Sequence, residues 1–141
     1  MRTRQITRIA SIARYGRTAL FSVLFLAAGP LFAHRSIPAY FYTNQKNTIE
    51  GNVASFDYRN PHAFLHVELE DAKTGQKQMW DVEWSSIRRL EKQGVTKDTL
   101  KPGDRVKIVA YPSRKANDHV LHMVSVIRPS DGWKWGRELQ Q

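Results

Sequence analysis

Two stretches decide the fold: His62-Ala63-Phe64-Leu65-His66-Val67-Glu68-Leu69 and, ten residues on, Trp80-Asp81-Val82-Glu83-Trp84. In the first, Ala63, Leu65, Val67 and Leu69 alternate with His62, Phe64, His66 and Glu68. That is the period-two pattern of a strand with one face on a core. In the second, Trp80, Val82 and Trp84 alternate with Met79, Asp81 and Glu83 in the same way. Asp71-Ala72-Lys73-Thr74-Gly75 lies between them and reads as a hairpin connection ending in glycine.

Upstream, a strand is predicted from Thr48, with Ile49, Gly51, Val53 and Ser55 on one face and Glu50, Asn52, Ala54 and Phe56 on the other. A glycine inside such a run marks a sharp bend or bulge, here at Gly51. Arg59-Asn60-Pro61 is a turn, because the residue before proline is pushed out of the helical region.

Downstream, Ser85 is placed to cap a short helix with Ile87 and Leu90 inside, Arg88, Arg89, Glu91 and Lys92 outside, and Gly94 just past its end. Lys101-Pro102-Gly103-Asp104 is a tight turn. A fourth strand runs from Arg105 to Tyr111, a polar loop from Pro112 to Asp118, and a fifth strand from His119 to Ile127. Three strands, a helix and two strands is the element order of the OB-fold, a five-stranded Greek-key barrel. The expected class is therefore all-β with one helix between strands three and four. A small open barrel or meander with one helix is the rival.

The barrel is expected over 48–128. Residues 34–47 read as irregular because of Pro38, with Tyr40, Phe41 and Tyr42 laid on the domain. Three aromatics in a row seek cover from water. Residues 129–141 read as a tail in which Trp133 and Trp135 alternate.

The N-terminal 33 residues differ from the rest. They hold Arg2, Arg4, Arg8, Arg14 and Arg17 and no acidic residue, then the apolar run Ala19 to Ala28, the break Gly29-Pro30, and Leu31-Phe32-Ala33. This reads as a cleavable secretory signal over 1–33. An uncleaved anchor is the alternative, but Ala19 to Ala33 is shorter than the roughly 20 residues a span needs. No Arg-Arg pair is present, which favours the general export route over the twin-arginine one. The expected location is the bacterial periplasm or the medium, with no membrane span after cleavage.

The formal net charge is +9, and removing the five signal arginines leaves +4 for residues 34–141. So mild a charge, with both signs interspersed, makes no case for nucleic acid. The chain has no cysteine, which excludes disulfides, thiolate metal sites and thioether haem attachment. The exported domain must rest on its core alone.

In this order the motifs resemble a family of short exported bacterial proteins of unknown function. The residues that carry the likeness are Ala33-His34-Arg35-Ser36, Asn60-Pro61-His62, Trp84, Arg88-Arg89 to Gly94, and Leu100-Lys101-Pro102-Gly103-Asp104. Arg35 stands where the family carries a second histidine. The resemblance covers nearly all of 33–128. It implies export and the barrel, and brings no established activity.

The binding candidates are Tyr58, Arg59, Asn60, His62 and Phe64, at the turn into strand two. They fit a small molecule, an envelope component or another protein. No catalytic motif is found: no glycine-rich phosphate loop, no GxSxG serine. Asp81 and Glu83 read as the solvated side of strand three, and Trp80 and Trp84 as core or barrel-end packing. No cofactor is expected in this reading.

The alternative is copper. Cleavage after Ala33 makes His34 the mature N-terminus, and its amine and ring, with His62 as a further imidazole, form a nitrogen set suited to Cu(II). His62 and His66 share a face but lie roughly 13 Å apart at strand spacing, too far to share one ion. His119 and His122 differ in parity and are expected to face opposite ways.

Overall fold

A computed structural model describes residues 36–115 and 117–136. The expected signal segment, His34 and the last five residues lie outside the described residues. A one-turn helix, α1 (Ile37–Tyr40), precedes β1 (Asn47–Asp57), β2 (Phe64–Glu70), β3 (Lys77–Glu83), helix α2 (Ile87–Lys92), β4 (Arg105–Pro112), β5 (Val120–Arg128) and β6 (Trp133–Trp135).

The sheet order is β3-β2-β1-β4-β5-β6, and β3 also pairs with β5. That last pairing is parallel, while all the others are antiparallel. It closes the first five strands into a barrel with the Greek-key connectivity of the OB-fold. The core holds Leu65 and Val67 from β2, Val82 from β3, Trp84, Leu90 from α2, Val95, Leu100, Val106 and Ile108 from β4, and Leu121, Met123 and Val126 from β5.

The alternation read for β2 and β3 is the one observed: Ala63, Leu65, Val67, Val82 and Trp84 are buried. Strand β1 departs from its expected phase. It pairs with β4 through Asn47–Asn52 and with β2 through Asn52–Asp57, and its register breaks between Val53 and Ser55. Ala54 is the extra residue of this bulge. The bulge exposes Ser55 and turns Phe56 toward the core, reversing the faces expected there. Gly51 is not the bulge. It sits in an unbroken ladder opposite Val106. What demands glycine is a close crossing, since a Cβ there would lie 2.5 Å from the Glu68 carbonyl oxygen and 2.8 Å from Val67 Cγ1. At the bulge, Val53 N–H donates to Asp104 O (2.8 Å) and Val53 O accepts from Gly103 N–H (2.8 Å), so the Lys-Pro-Gly-Asp turn holds the place where β1 changes partners.

Helix α2 begins one residue later than expected, with Ser86 as N-cap. Ser85 is committed elsewhere: its carbonyl accepts the Ala63 N–H at 3.0 Å, continuing the β2–β3 ladder. The C-terminus is a Schellman turn. Gly94 N–H donates to Glu91 O and Val95 N–H to Leu90 O, each at 3.0 Å, with Gly94 at φ +78°.

Two flanking segments are more ordered than the sequence implied. Pro38 lies in the first turn of α1, where a missing N–H costs nothing, so it starts a helix instead of preventing one. Phe41 is buried and bridges to Ser113. The expected tail supplies β6, which pairs with β5, and Trp135 packs edge-on against Trp84 at 4.9 Å between ring centroids.

Candidate functional site

One row of directly paired residues crosses the outer surface of five strands: Asp57 of β1, Phe64 of β2, Glu83 of β3, His122 of β5 and Tyr111 of β4. Paired residues in neighbouring strands project to the same side of a sheet. The row is therefore a continuous outer face at the end of the barrel where the β1–β2 and β4–β5 loops lie. His66 and Asp81 form the next row.

Histidines and carboxylates are matched on this face. His62 Nδ1 contacts Glu83 Oε1 directly. His66 Nδ1 lies 2.6 Å from Asp81 Oδ1, and its Nε2 lies 3.5 Å from Asp57 Oδ2. Arg59 reaches the same Asp57 oxygen at 3.5 Å. A carboxylate on one ring nitrogen fixes the ring and its tautomer and leaves the other nitrogen defined in direction.

His122 sits between two aromatics. Phe41 is tilted against it at 5.3 Å, and Tyr111 lies parallel to it at 6.5 Å. Burial pushes its pKa below the ordinary histidine value; Glu83 opposes that shift and His62 adds to it. Its Nδ1 is buried and meets no hydrogen-bond partner among the described residues. The short N-terminal segment is thus part of the site. Tyr42 N–H donates to Pro112 O, and Arg114 N–H donates to Tyr40 O. The Arg114 guanidinium also covers the Tyr42 ring and donates to Pro38 O.

Of the residues singled out in the sequence, the structure brings His62 and Phe64 onto this face, with Arg59 exposed at its edge and Asn60 in the exposed turn, preceding a cis bond to Pro61. Tyr58 is elsewhere. Its hydroxyl donates to Val95 O at 3.0 Å, its ring meets Phe56 edge-on, and burial raises its pKa. It packs against the core, as Phe56 does, because the Ala54 bulge turns both inward. Glu83, Asp81, His66, His122, Tyr111 and Phe41 were not proposed from the sequence as binding residues. The signal for the two acids was present, since Asp81 and Glu83 do share the outer side of β3, and each is also partnered by a histidine. His119 lies away from this row, its ring 4.9 Å from that of Trp80. Among the described residues, no group of three or more His, Cys, Asp and Glu could hold a metal ion.

No curated protein matches the chain. Among solved structures it is similar to the mitochondrial single-stranded DNA-binding protein Rim1 of S. cerevisiae, at 14% identity and a TM-score of 0.43, over 58% of this chain and 90% of that one. Residues 23–122 match the profile of a family of unknown function, DUF6152. The chain belongs to that family.

Proposed function

We propose that the chain is exported from the bacterial cytoplasm and works in the envelope space as a small non-catalytic binding module, its ligand lying on the row Phe64–Glu83–His122. One observation carries this reading: polar and aromatic groups from five strands and the N-terminal segment converge there, and His122 keeps a buried ring nitrogen that meets no partner among the described residues. OB barrels use the corresponding face and loops to bind ligands. The carboxylates of this face speak against a nucleic-acid backbone as the ligand. Asp57, Asp81 and Glu83 stand along the face, whereas single-strand binders need a positive groove.

Two measurements test the reading. Intact mass of the protein from the periplasmic fraction should give a chain starting at His34, and finding all 141 residues held in the membrane fraction would defeat the export claim. Backbone NMR of the mature chain, titrated with fractionated envelope extract, should show shifts confined to the face around Phe64, Glu83 and His122. Shifts confined to α2 would place the site elsewhere.

A second reading, Cu(II) binding through His34 and His62, is favoured by one feature. Glu83 contacts His62 at Nδ1, as carboxylates behind metal sites hold the ligating histidines by their other ring nitrogen. In this reading the mature protein takes one Cu(II), more weakly as pH falls, because the nitrogens must be deprotonated. Both His62→Ala and one residue added ahead of His34 weaken binding, while His119→Ala does not. Loose multi-site binding that ignores the extension rules it out.

A further inference from the structure

A recess lies away from the histidine face, at the hairpin end of β2 and β3. It is an open depression of about 350 Å³, and Leu69 and Trp80 supply its apolar surface. Its rim is polar: Glu70, Asp71, Gln76, Lys77 and Gln78.

Trp80 is fixed in place. His119 tilts against its ring at 4.9 Å. Gln78 ties the two together, its Oε1 accepting from Trp80 Nε1–H at 3.1 Å and its Nε2 donating to His119 Nε2 at 2.9 Å. An amide has two donors and two acceptor lone pairs, so Gln78 keeps one N–H and one lone pair for a ligand.

Two of the three charges on the rim are hydrogen-bonded, and the third, Glu70, stands opposite Lys77 in the β2–β3 ladder and acts on its charge. Lys77 Nζ donates to Glu68 at 2.8 Å, and Asp71 accepts from Lys73 N–H, Thr74 N–H and the Thr74 hydroxyl. The rim thus mixes charges of both signs. The recess offers an aromatic surface beside planar hydrogen-bonding groups. That pairing suits a pyranose, whose C–H face is apolar and whose hydroxyls point outward.

We propose that this recess binds a neutral oligosaccharide, with a sugar ring on Trp80 and hydroxyls on Gln78 and Gln76. The site is independent of the histidine face, so it stands or falls apart from the function proposed above.

The test uses the mature protein, ¹⁵N-labelled, titrated separately with cellotetraose, maltotetraose and tetra-N-acetylchitotetraose. At least one should shift the Trp80 indole N–H resonance saturably. Trp80→Ala should weaken that sugar by about tenfold or more, the scale of losing one stacking platform. Gln78→Ala should weaken it severalfold while leaving the rest of the spectrum in place. Met79→Ala, on the opposite side of β3, should leave binding unchanged. Should Trp80→Ala fail to fold, Gln78→Ala decides. No indole shift with any of the three up to about 10 mM, beyond the millimolar limit of weak binding, overturns the proposal. So does binding that survives Gln78→Ala undiminished.

Discussion

His66 of β2 and Asp81 of β3 are direct cross-strand neighbours, and Nδ1 of the one lies 2.6 Å from Oδ1 of the other. Both side chains remain partly exposed, 26% and 44%. Such a pair adds little to stability, so its value is in holding the imidazole. A double-mutant cycle with His66→Ala and Asp81→Ala should give a coupling of about 0.2–1 kcal/mol, the usual range for cross-strand pairs. Chemical denaturation at pH 7 measures it. A coupling several times larger would show a desolvated pair, contrary to this exposure.

Leu65, one residue away, points the other way and is 0% exposed. Leu65→Ala should cost about 2–5 kcal/mol, because the cavity in a closed barrel collapses only partly. His66→Ala should cost well under half of that. Equal losses for the two would contradict the strand faces described above.

The legible parts of the fold were those where one period runs unbroken. Residues 63–69 and 80–84 alternate cleanly, so the faces of β2 and of the second half of β3 follow from the residues alone. Strand β1 hid a bulge at Ala54, a residue with no special chemistry. That single insertion misplaced two features: Ser55 was expected on the same face as Val53, and Tyr58 was expected on the binding face. Gly51 drew attention correctly but for the wrong reason, since a close crossing and a bulge leave the same mark in a sequence. The histidine–carboxylate pairs were not legible, because they depend on register, which strand periodicity does not specify. Strand β6 is three residues long, too short for any period to show.

The crossing at Gly51 makes its own prediction. A methyl group there would lie 2.5 Å from the Glu68 carbonyl oxygen, a backbone atom held in the β1–β2–β3 ladder. Gly51→Ala should destabilise by about 1–3 kcal/mol through overpacking, despite the better strand propensity of alanine. Thermal unfolding followed by near-UV circular dichroism reads this from the tryptophans. An unchanged or raised midpoint would mean that the crossing yields freely.

His122 predicts a pH dependence near neutrality. Its folded pKa lies below the ordinary value, chiefly through burial, so the unfolded chain binds its proton more readily. Stability from this group is full above about pH 6.5, the unfolded value, and is lost as pH falls from there toward the lower folded value. His122→Phe keeps an aromatic between Phe41 and Tyr111 and removes the titration. The stability of the native protein relative to this variant should therefore decline between pH 7.5 and pH 5, measured by denaturation at a series of pH values. A constant difference across that range would show that His122 accepts its proton in place.

The last prediction concerns Arg128, which ties three separate segments together. Its guanidinium donates to Thr99 O at 2.8 Å, to Asp104 Oδ2 at 2.7 Å and to both oxygens of Asp131, at 3.1 and 2.7 Å. Asp104 also accepts from Lys101 N–H at 2.9 Å, so the acid of the Lys-Pro-Gly-Asp turn joins that turn to the end of β5. Burial pushes the Asp104 carboxyl up, but the Lys101 N–H and Arg128 outweigh it and hold the group below the carboxylate range. Arg128 and the Trp133 N–H lower Asp131 likewise. Arg128→Ala should cost about 1–3 kcal/mol at pH 7, the scale of hydrogen bonds to charged groups. Arg128→Lys should recover only a minor part, since an ammonium cannot reproduce the fork that reaches two carboxylates and a carbonyl. The sign with pH follows from the lowered carboxyls: their contribution is present above the unfolded carboxylate pKa of about 4 and is lost as pH falls through the lower folded values. The gap between native protein and Arg128→Ala should then narrow on going from pH 7 to pH 3. Urea denaturation at the two pH values measures it, and a gap that stays constant would show that Arg128 acts through Thr99 O and its packing on Trp133, not through its two acids.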